Sequence, residues 1–324
     1  MGAMISDMKM LLALAAFAAA SICNAQAPYP SRAITIVVPF TPATGADVIA
    51  RLLQPKLTEN LKVPVVVDNK PGASSAIGTE FVARSPADGY TLLFTATSHG
   101  TLPATKRSLP YDPVKSFTPV ALAATGAMSL VLGAQVPAAT MGEFIALAKK
   151  SPGALYYSSP GPGSIQNLTM ELVKLDTGID LVHVPYKGSA GAASDLVGGH
   201  VQATVASLQT MAPYVTTGRL RMVAVLSEER SPAFPNVPTM KELGHSGLVV
   251  DTWYGIFAPA GTPRDAVARL NKEVNALLQQ PELRDALAKQ GLTPVADRPE
   301  RLGELVAQEI ARWNRVVASA GLQE

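Results

Sequence analysis

Residues 34–57 read ITIVVPFTPATGADVIARLLQPKL, and this stretch decides the fold class. Ile34-Thr35-Ile36-Val37-Val38 is an unbroken β-branched run, the composition of a buried strand, and Pro39 closes it. Over 46–57 the apolar positions recur at helical spacing, with Asp47 in the first turn, where a carboxylate suits the positive end of a helix dipole. Pro55 is expected to kink or end that helix. Strand, loop of small and hydroxylated residues, then helix is the basic unit of an α/β protein.

The unit repeats along the chain. Strands are expected over 63–67 and 90–95, with Gly72-Ala73-Ser74-Ser75 leading into a short helix that holds Glu80, Phe81 and Val82. A second block begins near Met128, with strands at 129–132, 156–158, 181–184, 203–205 and 220–226 and helices at 141–150, 166–175 and 190–197. A strand at 254–258 and two amphipathic helices, 264–279 and 300–320, close the chain. This predicts an α/β fold with largely parallel sheets. A first third, a middle block and a closing segment that restarts with a strand predict two lobes joined by crossovers at 121–125 and 249–253. Residues 26–124 plus 250–324 would form one lobe and 125–249 the other, with a ligand cleft between them.

Ahead of this lies Lys9, the apolar run MLLALAAFAAASI at 10–22, and Cys23-Asn24-Ala25. Charged, apolar and small-residue segments in that order describe a secretory leader over 1–25, cut after Ala25, which places the mature protein in the periplasm. Cys23 is the only cysteine and lies within that leader, behind Ile22, a poor residue before a lipidated cysteine; the mature chain therefore offers no disulfide and no thiolate metal site. A net charge of +2 without clustered basic residues gives no case for nucleic acid.

Catalytic signatures are missing. Gly244-His245-Ser246-Gly247 lacks nucleophile-elbow spacing, no phosphate loop or G-x-G-x-x-G occurs, and His99, His183, His200 and His245 show no paired ligand spacing. Lys187 reads as a solvated or ion-paired lysine, Trp253 and Tyr254 as hinge packing, and Trp313 as core. No cofactor or metal is expected. An enzyme acting on a carboxylate would need a nucleophile–base pair that the sequence does not offer.

What the sequence does offer is three strand-to-helix junctions rich in Gly, Ser and Thr: 39–47, 71–78 and 158–164. Helix starts present unpaired N–H groups and partial positive charge, hydroxyls add donors, and glycine lets the backbone approach a ligand, so such junctions facing one cleft would suit a carboxylate.

At these same junctions the chain resembles the Bug family, the periplasmic solute-binding proteins of tripartite tricarboxylate transporters. The similar segments run in order: YPSRAITIVVPF, ADVIARLLQPKL, VVVDNKPGA, SPADGYTLL, LPYDPVKSFTPV, HVPYKGSA, DLVGGHV, GRLRMVAV, PNVPTMKELG and WYGIFAPAGTP. The resemblance implies a Venus-flytrap fold of two α/β lobes closing on a small organic carboxylate held by loop amides, hydroxyls and bridging waters. It implies a monomer whose partners are the membrane components of the transporter, or a sensor kinase where the protein reports its ligand. Two departures stand out: Ala43-Thr44 replaces the usual Gly-Gly pair, and Asn167 stands where His is common.

On this reading the amides of Ala43, Thr44, Gly45 and Ala46, and those of Ser74, Ser75, Ala76 and Ile77, hold one carboxylate, with the Thr44 and Ser74 hydroxyls donating. Thr95, Ser98, His99, Ser159, Gly163, Ser164 and Asn167 line the remainder, and Phe40 packs on the carbon skeleton. Asp47 is a first-loop organiser or a partner for an amino group. Tyr186 and Asp195 complete the candidate site, with Asp195 at a helix head.

Overall fold

The computed structural model describes residues 29–42, 44–106, 108–186 and 189–321. The expected leader, Ala43 and Lys187 lie outside them. The chain begins with β1 (Ile34–Val38), α1 (Gly45–Leu61), β2 (Val65–Asn69), α2 (Ala76–Ala83), β3 (Thr91–Ala96) and α3 (Ser98–Thr105). It continues through β4 (Phe117–Gly133), α4 (Met141–Lys150), β5 (Tyr156–Ser159), α5 (Ile165–Thr177), β6 (Val182–Pro185), α6 (Ser189–Gly198), β7 (Ala203–Ser207), α7 (Leu208–Thr216) and β8 (Leu220–Val225). It ends with β9 (Asp251–Pro259), α8 (Arg264–Leu278), α9 (Pro281–Lys289), β10 (Leu292–Pro294) and α10 (Pro299–Ala320).

The strands order as β2-β1-β3-β9-β4-β7-β5-β6, with β8 and β10 also paired to β4. Pairing is parallel within β2-β1-β3 and β7-β5-β6, but every pairing of β4, and β3 with β9, is antiparallel. The sheet is thus mixed, not largely parallel. The reason is that both crossovers are strands. Residues 121–125 lie inside the 17-residue β4, which pairs with β9 over Phe117–Ala127 and with β7 and β8 over Met128–Gly133. The second crossover runs into β9, where Asp251 faces Ala127. Two adjacent strands satisfy each other's backbone groups through the passage, as two buried loops could not. Register shifts near Pro119, Leu122 and Leu130 bend β4 on its way.

Pro55 does not end α1; the helix runs on to Leu61, where Lys62 stops it in a left-handed conformation. Losing one backbone bond and straining the turn costs about 3 kcal/mol. Beyond the proline, Leu57 and Leu61 stay on the buried face, and each is worth about 1.5–3 kcal/mol when covered. Burial wins.

Two sets of buried side chains form on the two sides of the crossing. Ile36, Leu53, Phe94, Ile256 and Leu270 belong to the first, and Met128, Phe144, Tyr157, Leu168 and Val205 to the second. α10 runs from a third cluster to the second: Leu302 and Val306 pack with Trp253 and Phe257, whereas Trp313, Val316 and Val317 pack with Met128 and Leu168.

Candidate functional site

The ends of β1, β2, β3 and β5 converge on a cleft of about 600 Å³ between the two halves. On one side stand Phe40, Thr41, Thr44, the Gly72–Ser75 turn and one face of α3; on the other are residues 160–166 and Ser207, with Thr252 and Tyr254 of β9 at the back.

The second junction is the most distorted part of the site. Gly72 has φ 135°, and the next three residues, none of them glycine, also have positive φ: Ala73 46°, Ser74 56° and Ser75 86°. Each such residue costs of order 1 kcal/mol or more, so the surroundings must impose the shape. They do so through the amides of Ser75 and Ile77, which both turn back onto the Gly72 carbonyl (3.1 and 3.5 Å), and through Gly78, which seats α2 directly on Pro39 and Lys70. The result presents Ser74 and Ser75 to the cleft, with Ser75 Oγ 3.2 Å from Ser98 Oγ. Ile77 turns outward and is 54% exposed, and Ala76 does not line the cleft.

At the first junction Phe40 and Thr44 line the cleft, and the Thr44 hydroxyl donates to the Thr41 carbonyl (3.0 Å). Gly45 lies directly against Tyr254, and Ala46 is core. Asp47 is the organiser. It is 3% exposed, accepts from Arg51 Nε with both oxygens (3.0 Å each) and from Asn69 Nδ2 (2.9 Å), while Asn69 Nδ2 also reaches the Phe40 carbonyl (3.1 Å). That cluster ties loop to helix to strand, and Asp47 does not line the cleft.

At the junction after β5, Gly163 and Ser164 line the cleft, and Ser159 and Asn167 support them from behind. Ser164 Oγ donates to the Gly161 carbonyl (2.7 Å) and caps α5 by accepting from the Asn167 amide (3.3 Å). Asn167 Oδ1 accepts from the Gly163 amide (3.0 Å), and its Nδ2 donates to Tyr157 Oη (2.7 Å), which in turn donates to Glu171 (2.5 Å). Burial and the Glu171 carboxylate push the Tyr157 phenol well above its usual range. Ser159 Oγ bonds His183 Nε2 (2.7 Å) and the Gly161 amide (3.1 Å). Tyr186 and Asp195 bond each other (2.5 Å) outside the cleft; Asp195 sits near the end of α6, not at its head.

Two expected residues, Thr95 near the end of β3 and His99 in α3, fall in the interior. Thr95 is fully buried. His99 stacks on Phe257, meets the edge of Phe117, and bonds the Pro113 carbonyl (2.8 Å). Burial holds its pKa down, to about 4. An unfolded histidine takes up a proton near 6.5, so stability is expected to fall as pH drops from 6.5 to 4, by at most about 1.4 kcal/mol per pH unit from this group. Asp251, raised to about 6 by burial, works in the opposite sense below pH 6, because the folded state then holds the proton more tightly. In guanidinium unfolding, His99→Gln is expected to lose less stability than the parent across pH 6.5 to 4; parallel losses would contradict the assignment.

Ser98, expected at the site, lines the cleft, but several of its neighbours there escape a reading of the sequence by motif. Thr101, Leu102 and Thr105 follow Ser98 at helical spacing and lay one face of α3 along the cleft, with Lys106 at its end. Thr252 and Tyr254 share one face of β9, while Trp253 between them is buried against Phe257. Strand alternation carries that signal. Thr252 Oγ1 is engaged with the Gly126 carbonyl (3.0 Å), whereas the Tyr254 hydroxyl stands beside the start of α1, where a Cβ on Gly45 would come within 2.6 Å of it. Among the described residues lining the cleft there is no Asp, Glu, His or Arg, and Lys106 is the one cation. If the Tyr254 hydroxyl donates to a bound carboxylate, Tyr254→Phe should weaken solute binding by about 1.5–3 kcal/mol in calorimetry. Unchanged affinity would remove the phenol from the contact set.

Among the described residues, no group of three or more His, Cys, Asp or Glu could hold a metal ion, and no helix is long and apolar enough to cross a membrane.

Comparison with known proteins places these features. The family profile described as the tripartite tricarboxylate transporter family receptor matches residues 49–322. The chain is 38% identical over 295 residues to protein BugT of Bordetella pertussis, covering 90% of each chain. It is 38% identical over 290 residues to a protein encoded between tcbD and tcbE in Pseudomonas sp. strain P51, covering 89% of this chain and 86% of that one. Among solved structures, the R. palustris protein Rpa4515 with adipate is similar at a TM-score of 0.80 and 35% identity, covering 90% of this chain and 98% of the other. MatC from Rhodopseudomonas palustris with bound malate is similar at a TM-score of 0.76 and 33% identity, covering 89% and 100%. The α/β, two-lobed periplasmic-binding-protein architecture expected from the sequence is the architecture these structures share.

Proposed function

Because the chain belongs to the tripartite tricarboxylate transporter receptor family, a family of periplasmic solute-binding proteins and not of enzymes, we propose that it captures a small organic carboxylate and presents it to the membrane components of such a transporter. The observation that carries this reading is the convergence of four strand ends on a cleft lined, among the described residues, by hydroxyls, one lysine and no carboxylate. That lining favours an anion.

Donors already engaged within their own loops, such as Thr44 and Ser164, shape the walls. The solute is held by the Gly72–Ser75 turn, the Ser75–Ser98 hydroxyl pair and the Tyr254 phenol, with Phe40, Leu102 and Ile165 against its carbon skeleton. Adipate and malate, the ligands of two similar structures, support this class of solute. The lobes are residues 26–124 plus 250–324 and residues 125–249, and they close as a hinge at the paired strands β4 and β9. A solute touching both walls stabilises the closed state through contacts it makes only there. α10 straps the two lobes and limits the swing. The protein works as an exported monomer, its leader removed after Ala25.

Deleting the gene is the functional test. Loss of carboxylate uptake with transport genes still induced supports delivery. Loss of induction with uptake intact would instead assign the protein to a sensor kinase.

A further inference from the structure

Resting on the hinge proposed above, we infer that Asp251 is a positioning residue for solute capture: on the reverse side of the crossing its negative charge favours the closed cleft, and closure on a solute releases a proton. Asp251 and Thr252 are successive residues of β9, so their side chains leave opposite faces of the strand. Thr252 lines the cleft, whereas Asp251 lines a second groove of about 540 Å³. Ser207 and Leu208 divide in the same way, the first lining the cleft and the second the groove. Residues 125–127 of β4 line this groove at the crossing. Ala288 and residues 291–293 border it from the proposed first lobe, and residues 227–233 from the proposed second. A bend at β4 and β9 that narrows the cleft therefore widens the groove behind it.

A charge on Asp251 is poorly accommodated while the groove is narrow. The side chain is partly buried, and Glu228 and Glu309 stand close enough to oppose its ionisation. Arg312 of α10 is the favourable neighbour, but its donors are committed, Nη1 to the Val249 carbonyl (2.6 Å) and Nη2 to that of Gly247 (2.8 Å). Glu309 accepts from the Trp313 indole, and Glu228 is paired with Lys241. Arg230, the one cation among the described residues lining the groove, is held by both oxygens of Glu242 (3.0 and 2.9 Å). Glu229 adds a further carboxylate, and Ala288 and residues 291–293 bring no charge. Among the described residues, none donates a hydrogen bond to the Asp251 carboxylate.

Burial first, then Glu228 and Glu309, raise the Asp251 pKa to about 6. Widening the groove admits water to the carboxylate and returns it toward its ordinary value of about 3.9. Asp251 thus holds its proton more tightly with the cleft open than with it closed. Closure releases that proton between about pH 6 and about pH 4, and rising pH favours closure. Above about pH 7 the carboxylate is ionised in both states and the bias toward closure is fully present; below about pH 4 it is lost. A solute that binds the closed state gains the bias as affinity.

The test uses ligand-stripped mature protein. Without solute, spin labels at Thr41→Cys and Pro162→Cys, exposed positions on opposite walls of the cleft, read the closed fraction by pulsed paramagnetic resonance. That fraction is expected to be larger at about pH 7.5 than at about pH 5, and to lose its pH dependence when Asp251→Asn is added. In calorimetry with hexanedioate and with malate, affinity is expected to fall about tenfold more in the parent than in Asp251→Asn over the same interval, as pKa values of about 6 and about 3.9 require. Taking the parent against the variant cancels titration of the acids themselves. Glu228→Gln removes one opposing carboxylate and is expected to move the midpoint of the pH response to lower pH, which a purely structural role would not do. Label distances that ignore pH in the parent, or a folded Asp251→Asn protein with the parental pH response, would overturn the inference while leaving carboxylate capture intact. If folded protein binds neither acid, the result counts against the proposed solute class, and the label distances alone decide the inference.

Discussion

Gly78→Val is expected to cripple solute binding while leaving most of the secondary structure in place. A Cβ at position 78 would lie 2.5 Å from the Lys70 carbonyl oxygen, 2.9 Å from Pro39 Cβ and 3.0 Å from Pro39 Cα. None of these atoms belongs to a flexible side chain, so α2 itself must retreat. The retreat pulls on the left-handed turn, because the Ile77 amide holds the Gly72 carbonyl one residue before the clash. It also pulls on the first loop, whose Pro39 and Phe40 border the cleft. Overpacking of this kind costs about 1–3 kcal/mol in stability, and a shift of even 1 Å in the turn removes the geometry that presents Ser74 and Ser75. A loss of about 2 kcal/mol in binding, roughly 30-fold, is the expected reading from calorimetry. Gly142→Ala is the matched control: nothing lies within 4 Å of a Cβ there, and alanine in the first turn of α4 is expected to be neutral or slightly stabilising. A folded Gly78→Val protein with parental affinity would show that the seating of α2 does not govern the site.

The second large effect is structural. Trp313→Ala is expected to lower stability by about 3–5 kcal/mol, the usual loss for an aromatic side chain removed from a packed interior. Trp313 is fully buried with Met128, Leu168 and Val317, and its indole N–H donates to Glu309 (2.6 Å). Burial already raises the Glu309 pKa; without the indole donor that carboxylate loses a partner as well as a neighbour. For a chain of this size the melting temperature should fall by roughly 10 °C, followed by circular dichroism. Trp313→Phe, which keeps most of the volume but not the hydrogen bond, should fall by less. A melting temperature unchanged by the alanine would mean that the second half of α10 does not hold the middle block, contrary to the packing described here.

How much of this was legible beforehand depended on the kind of signal. The β-branched run at Ile34–Val38 and the apolar spacing of α1 announce themselves, because burial acts on each residue type directly. The crossovers did not. Residues 121–125 read as a connection between blocks, and only the pairing of β4 with β9 reveals that they are strand. Hydroxyl-rich junctions border the cleft, but side-chain identity cannot tell an available donor from an engaged one; Thr44, Ser159 and Ser164 each serve their own loop. Nothing in Ala-Ser-Ser signals three successive positive φ angles, since that conformation is imposed by α2 and the first loop. His99 follows a strand end, as a ligand-facing residue would, yet α3 turns it into an aromatic core. Tyr254 and the Ser98–Thr105 face were readable from alternation and helical spacing, although Pro103 obscured the second pattern.

The most direct test of carboxylate capture is a thermal-shift measurement on refolded, ligand-stripped mature protein across a broad set of organic carboxylates, with neutral and cationic analogues alongside. At 100 times its dissociation constant a bound acid stabilises the protein by about 2.7 kcal/mol, a clear rise in melting temperature. A shift confined to one class of carboxylate, saturating at one solute per chain, is the predicted result. A folded protein that no carboxylate stabilises, or one stabilised equally by neutral analogues, would contradict it.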